Sequence, residues 1–452
     1  MKEIREASKE ISILTETDVL VVGSGPAGLA AAISAAREGV KTTLLERYGC
    51  FGGVLTQVGV EGIAWYRHEG TTDVEGIGIE FEQTAKRLGG TTKDPESLGE
   101  EINADMFKVV ADNLIRESNV IPLLHCYGVE AILEGNILKG VITESKSGRQ
   151  AVLAKRTIDA TGDADIAHLA GAPHRKTPKN KVMSVTVMFS CAGVDKRRFL
   201  DYIYDNPSTY ADWGGDWEKE TTHKEDQLFS TYLEEPFNKA RESGLIPKEC
   251  VGIRGSWSTI TEDGDATNLN MVQLAGFDCT DVWDLTRAEM TGRHHAMLAI
   301  EALRQYTPGF ENARLRNFGM TLGTRDSRKI MGRYNLTEQD VRNQASFEDS
   351  IGIFPEFIDG YGVLLLPTTG RYFQVPFGIT VPQKIENLLV AGRCVAGDRI
   401  SHAAMRNMMA CTVTGQGVGV ASALSIKDGV KSADVNTQKL QESLQKQGVR
   451  LS

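Results

Sequence analysis

"TDVLVVGSGPAGLAAAISAAREGVKTTLLER", residues Thr17 to Arg47, decides the fold. Asp18 to Val22 is a short apolar run suited to a buried parallel strand. Gly23-Ser24-Gly25-Pro26-Ala27-Gly28 follows at once. An alanine-rich helix is expected from about Pro26 to Glu38, ended by Gly39, and a second strand from Lys41 to Leu45. Gly23 permits a tight turn, Gly25 lets backbone approach a pyrophosphate, and Gly28 lets the helix lie close on the strand. The helix that begins at Pro26-Ala27 turns unpaired N–H groups and its positive dipole end toward the phosphates. Glu46, 18 positions beyond Gly28, can accept ribose hydroxyls, with Arg47 beside it. Strand, glycines, helix, strand and acid in this order specify a dinucleotide site.

The flanking sequence extends that site. "RYGCFGGVLTQVGVEG" places Gly52-Gly53 six residues after Glu46 and gives backbone access to a ligand that continues past an ADP moiety. Asn103 to Ser118 reads as an amphipathic helix with Phe107, Val110, Ala111 and Leu114 on one face. Residues 120–171 read as strands broken at Glu134-Gly135-Asn136 and Ser147-Gly148, and lead to Asp159-Ala160-Thr161-Gly162-Asp163, where Asp163 could also cap a helix. From about Ala172 to Gln374 the pattern changes: aromatic residues cluster, and short strand-like runs alternate with helical ones such as Thr286 to Tyr306. "NLLVAGRCVAGD" then returns to a strand, Leu388 to Ala391, with its turn at Gly392-Arg393 and its end at Asp398. "CTVTGQGVGVASALS" is a helix whose Gly415, Gly417 and Gly419 suit close helix packing.

These motifs resemble the glutathione-reductase-type flavoprotein superfamily, and over nearly the whole chain an FAD-dependent oxidoreductase family related to fumarate reductase flavoprotein subunits. The resemblance implies FAD. It puts Thr56 and Gln57 near the flavin ring, Ala160-Thr161-Gly162-Asp163 beside the nucleotide, and Asp398 on the ribityl–phosphate side. It also points the N–H groups at the start of the last glycine-striped helix, Met409 and Ala410, at the flavin pyrimidine edge. His402-Ala403-Ala404-Met405-Arg406 has the His-to-Arg step of four of the fumarate reductases, but Ala403 replaces glycine and Met408-Met409-Ala410-Cys411 replaces a glycine-rich run. The expected site is thus similar in place and different in substrate. No second G-x-G-x-x-G and no redox C-x(4)-C follow, unlike disulfide reductases.

Composition bounds the rest. The chain has 452 residues and a net charge of −10, with no extended basic patch, so nucleic acid is not an expected partner. The seven cysteines form no C-x-x-C, and no metal site is expected. The charged N-terminus lacks a signal-like apolar core and no span-length apolar stretch stands out, so a cytoplasmic location without membrane contact is expected.

The expected architecture is α/β. A discontinuous Rossmann-type FAD-binding domain, a parallel sheet with an antiparallel meander, occupies 1–171 and 375–452. An inserted α+β substrate or cap domain occupies 172–374. The expected reaction is hydride transfer between a small polar or anionic substrate and flavin N5. His402 is the candidate acid/base, and Arg406 and Arg399 are the candidate substrate-binding or charge-stabilising groups. Tyr361, Tyr372 and His68 are lesser wall candidates, and Arg325 and Arg328 read as structural ion-pairing residues. A monooxygenase using NAD(P)H and O2 and an electron-transfer subunit remain alternatives. The electron partner and any homo-oligomer are left open.

Overall fold

In the computed structural model the first strand, β1 (Ser12–Val22), is flanked by β2 (Thr42–Leu45) and, further along the chain, by a twelve-residue strand ending at Asp159. The structure describes all residues except 1–3, 5–7, 9, 65, 66, 69, 70, 73, 214–216, 221–226 and 367–369; the side chain of His68 lies outside what is described. Helix α1 (Pro26–Arg37) connects β1 to β2, as the glycine motif requires.

Helix α2 (Ala104–Glu117) is capped by the Asn103 side chain, which accepts from the N–H groups of Asp105 and Met106, and it buries the expected apolar face. Strands β3 (Ile121–Leu123), β4 (Tyr127–Glu134), β5 (Ile137–Ser145) and β6 (Gly148–Asp159) follow. The order across the sheet is β3-β2-β1-β6-β5-β4. Its parallel part is β3-β2-β1-β6, and β6-β5-β4 is the antiparallel meander. A late strand, Leu388–Val390, pairs parallel with the last residues of β6.

The parallel register aligns Val22 with Leu45 and with Asp159, and Asp159 with Val390. All four strands therefore stop along one line. The residues after them, Gly23, Glu46, Ala160 and Ala391-Gly392, come to one edge, where an open parallel sheet binds its ligand.

A second sheet is built from Phe189–Ala192, Tyr232–Leu233, Ile253–Ser256, Ala266–Leu274 and Arg314–Phe318, all antiparallel, with the short strand Val185–Thr186 added to Ala266–Leu274. The 25-residue helix α3 (Val282–Tyr306) packs on it. The two sheets have separate apolar cores: the second cluster runs from Val185 to Leu322, while Ile330 to Val381 bury their apolar side chains in the first.

Two helices close the chain's return to the first sheet: α4 (Arg399–Met405) and α5 (Met408–Lys427). Helix α5 is apolar and long enough to cross a membrane by length and composition, a property the sequence reading did not pick out, yet 89% of that window is buried. It lies against α1 at backbone contact. A Cβ at Gly415 would strike the Ala27 carbonyl, and one at Gly419 would strike the Ser34 hydroxyl and the Ala31 carbonyl.

Candidate active site

Gly23, Glu46, Ala160 and Gly392 all line one cavity of about 1030 Å³. The three glycines of the first turn separate by role. Gly23 has φ +95°, and a Cβ there would sit 2.5 Å from the Ala160 carbonyl oxygen. A Cβ at Gly28 would land on the Gly23 carbonyl, so these two glycines are demanded by packing. In front of Gly25 the nearest atom is the Gly53 Cα at 4.0 Å, so Gly25 faces open space. The N–H groups of Ala27 and Gly28 have no acceptor among the described residues, and no side chain caps the helix. Open space before two unpaired donors at a positive helix end makes a cradle suited to a pyrophosphate.

Glu46 holds this loop in shape. Its Oε2 accepts from the Ser24 N–H (3.0 Å) and hydroxyl (2.6 Å), and its Oε1 accepts from the Tyr48 N–H (2.9 Å). One of roughly four acceptor positions remains, so the Ser24 hydroxyl must turn away before Glu46 can accept two ribose hydroxyls. The Arg47 guanidinium lies 4.8 Å from the Tyr48 ring centre and 6.0 Å from that of Tyr127.

Opposite, Thr161 and Gly162 line the cavity while Asp163 binds Arg393 at 2.8 Å and accepts from the Ser327 hydroxyl at 2.6 Å. Asp163 therefore does not cap the short helix Asp165–Leu169; Ala164, with φ +52°, occupies that place. The Asp163–Arg393 pair ties the second and last fingerprints together.

Past the cradle the cavity becomes cationic. Arg399, Arg406 and Arg325 all line it. Arg406 is paired with Asp359 at 2.7 Å, and its Nε is buried without a partner. Arg399 lies over the Tyr361 ring, 4.3 Å from its centre. Arg325 donates only to neutral acceptors, the Ser184 carbonyl at 3.0 Å and the Asn270 side chain at 3.3 Å, and has no carboxylate partner among the described residues. Burial, with the neighbouring charge of Arg406, pulls it down to about 10. Of the two arginines read as structural, Arg328 does pair with Asp165 at 2.8 Å, but Arg325 does not fit that reading.

His402 is the main displacement from expectation. Its ring is 3% exposed and is not on the cavity wall. Its Nε2 lies 3.0 Å from the Arg325 carbonyl oxygen and 3.7 Å from Asp326. Burial, then the charge of Lys329, holds the imidazole far below its ordinary range, at about 3, so it is neutral near pH 7. Burial alone would raise the Asp326 carboxyl. With His402 neutral, the ammonium of Lys329 and the hydroxyl of Tyr361, both bonded to it, keep it ionised.

Asp398 is also off the wall: it caps α4 by accepting from the N–H groups of Ile400 and Ser401, and it accepts from Glu338 N–H. Thr56 points back to the Phe51 carbonyl (2.7 Å), whereas Gln57, held by the Cys50 carbonyl, and Gly53 are on the wall. Gly52, Gly28, Met409 and Ala410 stand behind it; at the start of α5 it is Asn407, Met408 and Cys411 that line the cavity. No side chain caps α5, because the Asn407 amide donates back to the carbonyls of Ala403 and Ala404. Tyr361 is on the wall and Tyr372 is not; the latter lies under Arg450.

Sequence reasoning passed over the acidic and aromatic end of the same cavity. Glu96 and Glu101 line it with Tyr210, Trp213 and Tyr232. Burial pushes Glu96 up to about 7 and Glu101, with Asp94 adding to the effect, up to about 8. Both sit on a stretch that reads as an ordinary polar loop.

The sequence profile of the family described as FAD dependent oxidoreductase matches residues 18–444, and the chain belongs to that family. The cradle described above suits FAD, the cofactor that the family's description names. A thiamine thiazole synthase of Methanococcus maripaludis is 29% identical over 184 residues, 38% of this chain; the chain spans 64% of that relative's length. One of Methanococcus vannielii is 30% identical over 199 residues, 41% of this chain and 70% of its own. Among solved structures, a geranylgeranyl bacteriochlorophyll reductase-like protein of Thermoplasma acidophilum superposes with a TM-score of 0.48 at 15% identity, covering 95% of this chain and 83% of its own.

Proposed function

We propose that the enzyme oxidises or reduces a small organic molecule that presents a carboxylate to Arg325 and Arg406. FAD, when bound in the cradle, supplies the two-electron chemistry, by hydride exchange with a substrate carbon. The observation that carries this reading is Arg325: a guanidinium on the cavity wall whose hydrogen-bond partners are all neutral. Such a charge is costly to bury until an anion arrives. Arg406 offers an unpaired Nε to the same anion. Arg399, stacked on Tyr361, adds a third positive charge to the same wall.

In this reading His402 is a positioning residue. It fixes the backbone of Arg325 and, through Asp326, the hydroxyl of Tyr361. Only Arg406 of the fumarate-reductase-like step of four is carried over, because only Arg406 reaches the cavity. The second sheet supplies the wall facing the sheet edge, through Asn268 and Asn270, and acts as the substrate-side unit.

Anaerobic mixing of the FAD-loaded enzyme with small carboxylates, amines and alcohols tests the proposal. Bleaching of the flavin by a carboxylate-bearing compound, weakened in Arg325→Gln, is expected. Bleaching only by uncharged compounds, or NADPH oxidation with a hydroxylated product, overturns it.

A further inference from the structure

Among the described residues, two that line the cavity each hold a buried side-chain atom with no hydrogen-bond partner: the Nε of Arg406, a donor, and the Oδ1 of Asn268, an acceptor. Buried polar atoms are nearly always satisfied, so each orphan calls for a missing partner. One asks for an acceptor and the other for a donor.

Asn268 is 8% exposed and lies in the strand Ala266–Leu274 with φ +53°, a left-handed conformation at an irregularity in the ladder. Asparagine is among the few residues that tolerate that conformation, and strain of this kind collects at binding sites. Its Nδ2 donates to the Ser258 hydroxyl at 2.7 Å. Were the amide turned over, an unpaired donor would replace the acceptor, but the Ser258 hydroxyl would then have to donate. Glu101 stands beside it: a Cβ at Gly62 would be 3.3 Å from the Asn268 Nδ2 and 3.4 Å from the Glu101 Oε1. Trp213 and Tyr232, with ring centres 5.4 Å apart, complete an aromatic flank. An amide acceptor, a carboxyl that an arriving cation would ionise, and aromatic rings together suit an ammonium group.

The two ends are linked by one strand. Arg325 bonds the side chain of Asn270, two residues from Asn268. Asn268 and Asn270 are thus neighbours on one strand, which brings the anion-binding and cation-binding ends within reach of one small molecule. A small molecule with both charges joins them with a hydrogen bond at each end.

We propose that the substrate is a zwitterion of the amino-acid class, its carboxylate on Arg325 and Arg406 and its ammonium on Asn268 and Glu101. This rests on the carboxylate reading above and adds the second charge to it.

The test is binding to the FAD-loaded enzyme, read anaerobically by flavin difference spectra and by calorimetry. The probes are the standard α-amino acids, each beside the 2-hydroxy acid and the unsubstituted acid with the same side chain. At least one amino acid is expected to bind about tenfold or more tighter than both its analogues, the scale of one charge-assisted hydrogen bond. Asn268→Gly, which keeps the left-handed backbone, is expected to erase that preference while the variant still holds FAD. Asn268→Asp is expected to retain the preference. Equal binding of amino acids and analogues, no binding of any amino acid, or a preference that survives Asn268→Gly overturns the inference. If the analogues still bind and Arg325→Gln weakens them, the carboxylate reading stands without it. If no acid of any class binds, both fail.

Discussion

Replacing Gly25 with alanine separates a cofactor contact from a folding requirement. The backbone of Gly25 has φ −61° and ψ −178°, values that alanine adopts freely. The added methyl would meet nothing closer than the Gly53 Cα at 4.0 Å. Two small effects on the unliganded protein oppose each other: alanine lowers the entropy of the unfolded chain, worth about 0.4–1 kcal/mol, and is a poorer helix cap by a similar amount. The unliganded variant should therefore unfold within about 1 kcal/mol of wild type. The methyl fills the space in front of the Ala27 and Gly28 N–H groups, where the pyrophosphate must approach. Losing one charge-assisted hydrogen bond there costs about 1.5–3 kcal/mol, a fall in FAD affinity of roughly tenfold to more than a hundredfold. Gly28→Ala is the contrasting case, because its methyl strikes the Gly23 carbonyl and must disturb the fold itself. Urea unfolding of both unliganded variants and quenching of FAD fluorescence on titration measure the two quantities. A Gly25→Ala protein that folds and holds FAD as tightly as wild type would refute the assignment of the cradle.

Arg325→Gln is expected to lower kcat/KM by about tenfold to a hundredfold, with Arg325→Lys only partly restoring it because the planar fork is lost; steady-state kinetics on the substrate found by flavin bleaching checks this. His402 has a folded-state pKa, about 3, below its unfolded value near 6.5. The unfolded chain thus takes up a proton that the folded one refuses, and stability falls as pH drops below about 6.5, by about 1.4 kcal/mol per pH unit for one group. His402→Gln should remove about 2 kcal/mol of the loss between pH 6.5 and 5, seen by urea unfolding at the two pH values; Asp326, kept ionised by Lys329 and Tyr361, does not change charge in that window. Gly419→Ala should cost about 1–3 kcal/mol by pushing α5 off α1, lowering the urea midpoint.

The nucleotide half of the molecule was legible because its constraints are local. Gly23 is set by the positive φ of its own turn, Gly28 by the Gly23 carbonyl beside it, Glu46 by the end of its own strand, and the meander by its own turns. Each leaves a mark at a fixed spacing. Arg325 left none. "GTRDSRKI" holds two arginines that read alike, and only the tertiary fold separates Arg328, paired with Asp165, from Arg325, whose acceptors on the same cavity wall are neutral. Asn268 was invisible for the same reason: an asparagine in an apolar strand looks like a weak strand residue until its backbone is seen to be left-handed.

His402 shows why the type of a side chain misleads without its surroundings. A histidine four residues before a cavity arginine has the reactivity for proton transfer, but α4 turns it inward, onto the segment Arg325-Asp326. There burial, and then the buried cation Lys329, keep the ring neutral, and it donates one hydrogen bond to the Arg325 carbonyl. The same network fixes Tyr361, whose ring carries Arg399. One inward-facing cluster thus sets the positions of two cavity arginines, Arg325 and Arg399. A substitution at His402 should therefore act on substrate binding through geometry, raising KM more than it lowers kcat, whereas loss of a catalytic base would do the reverse.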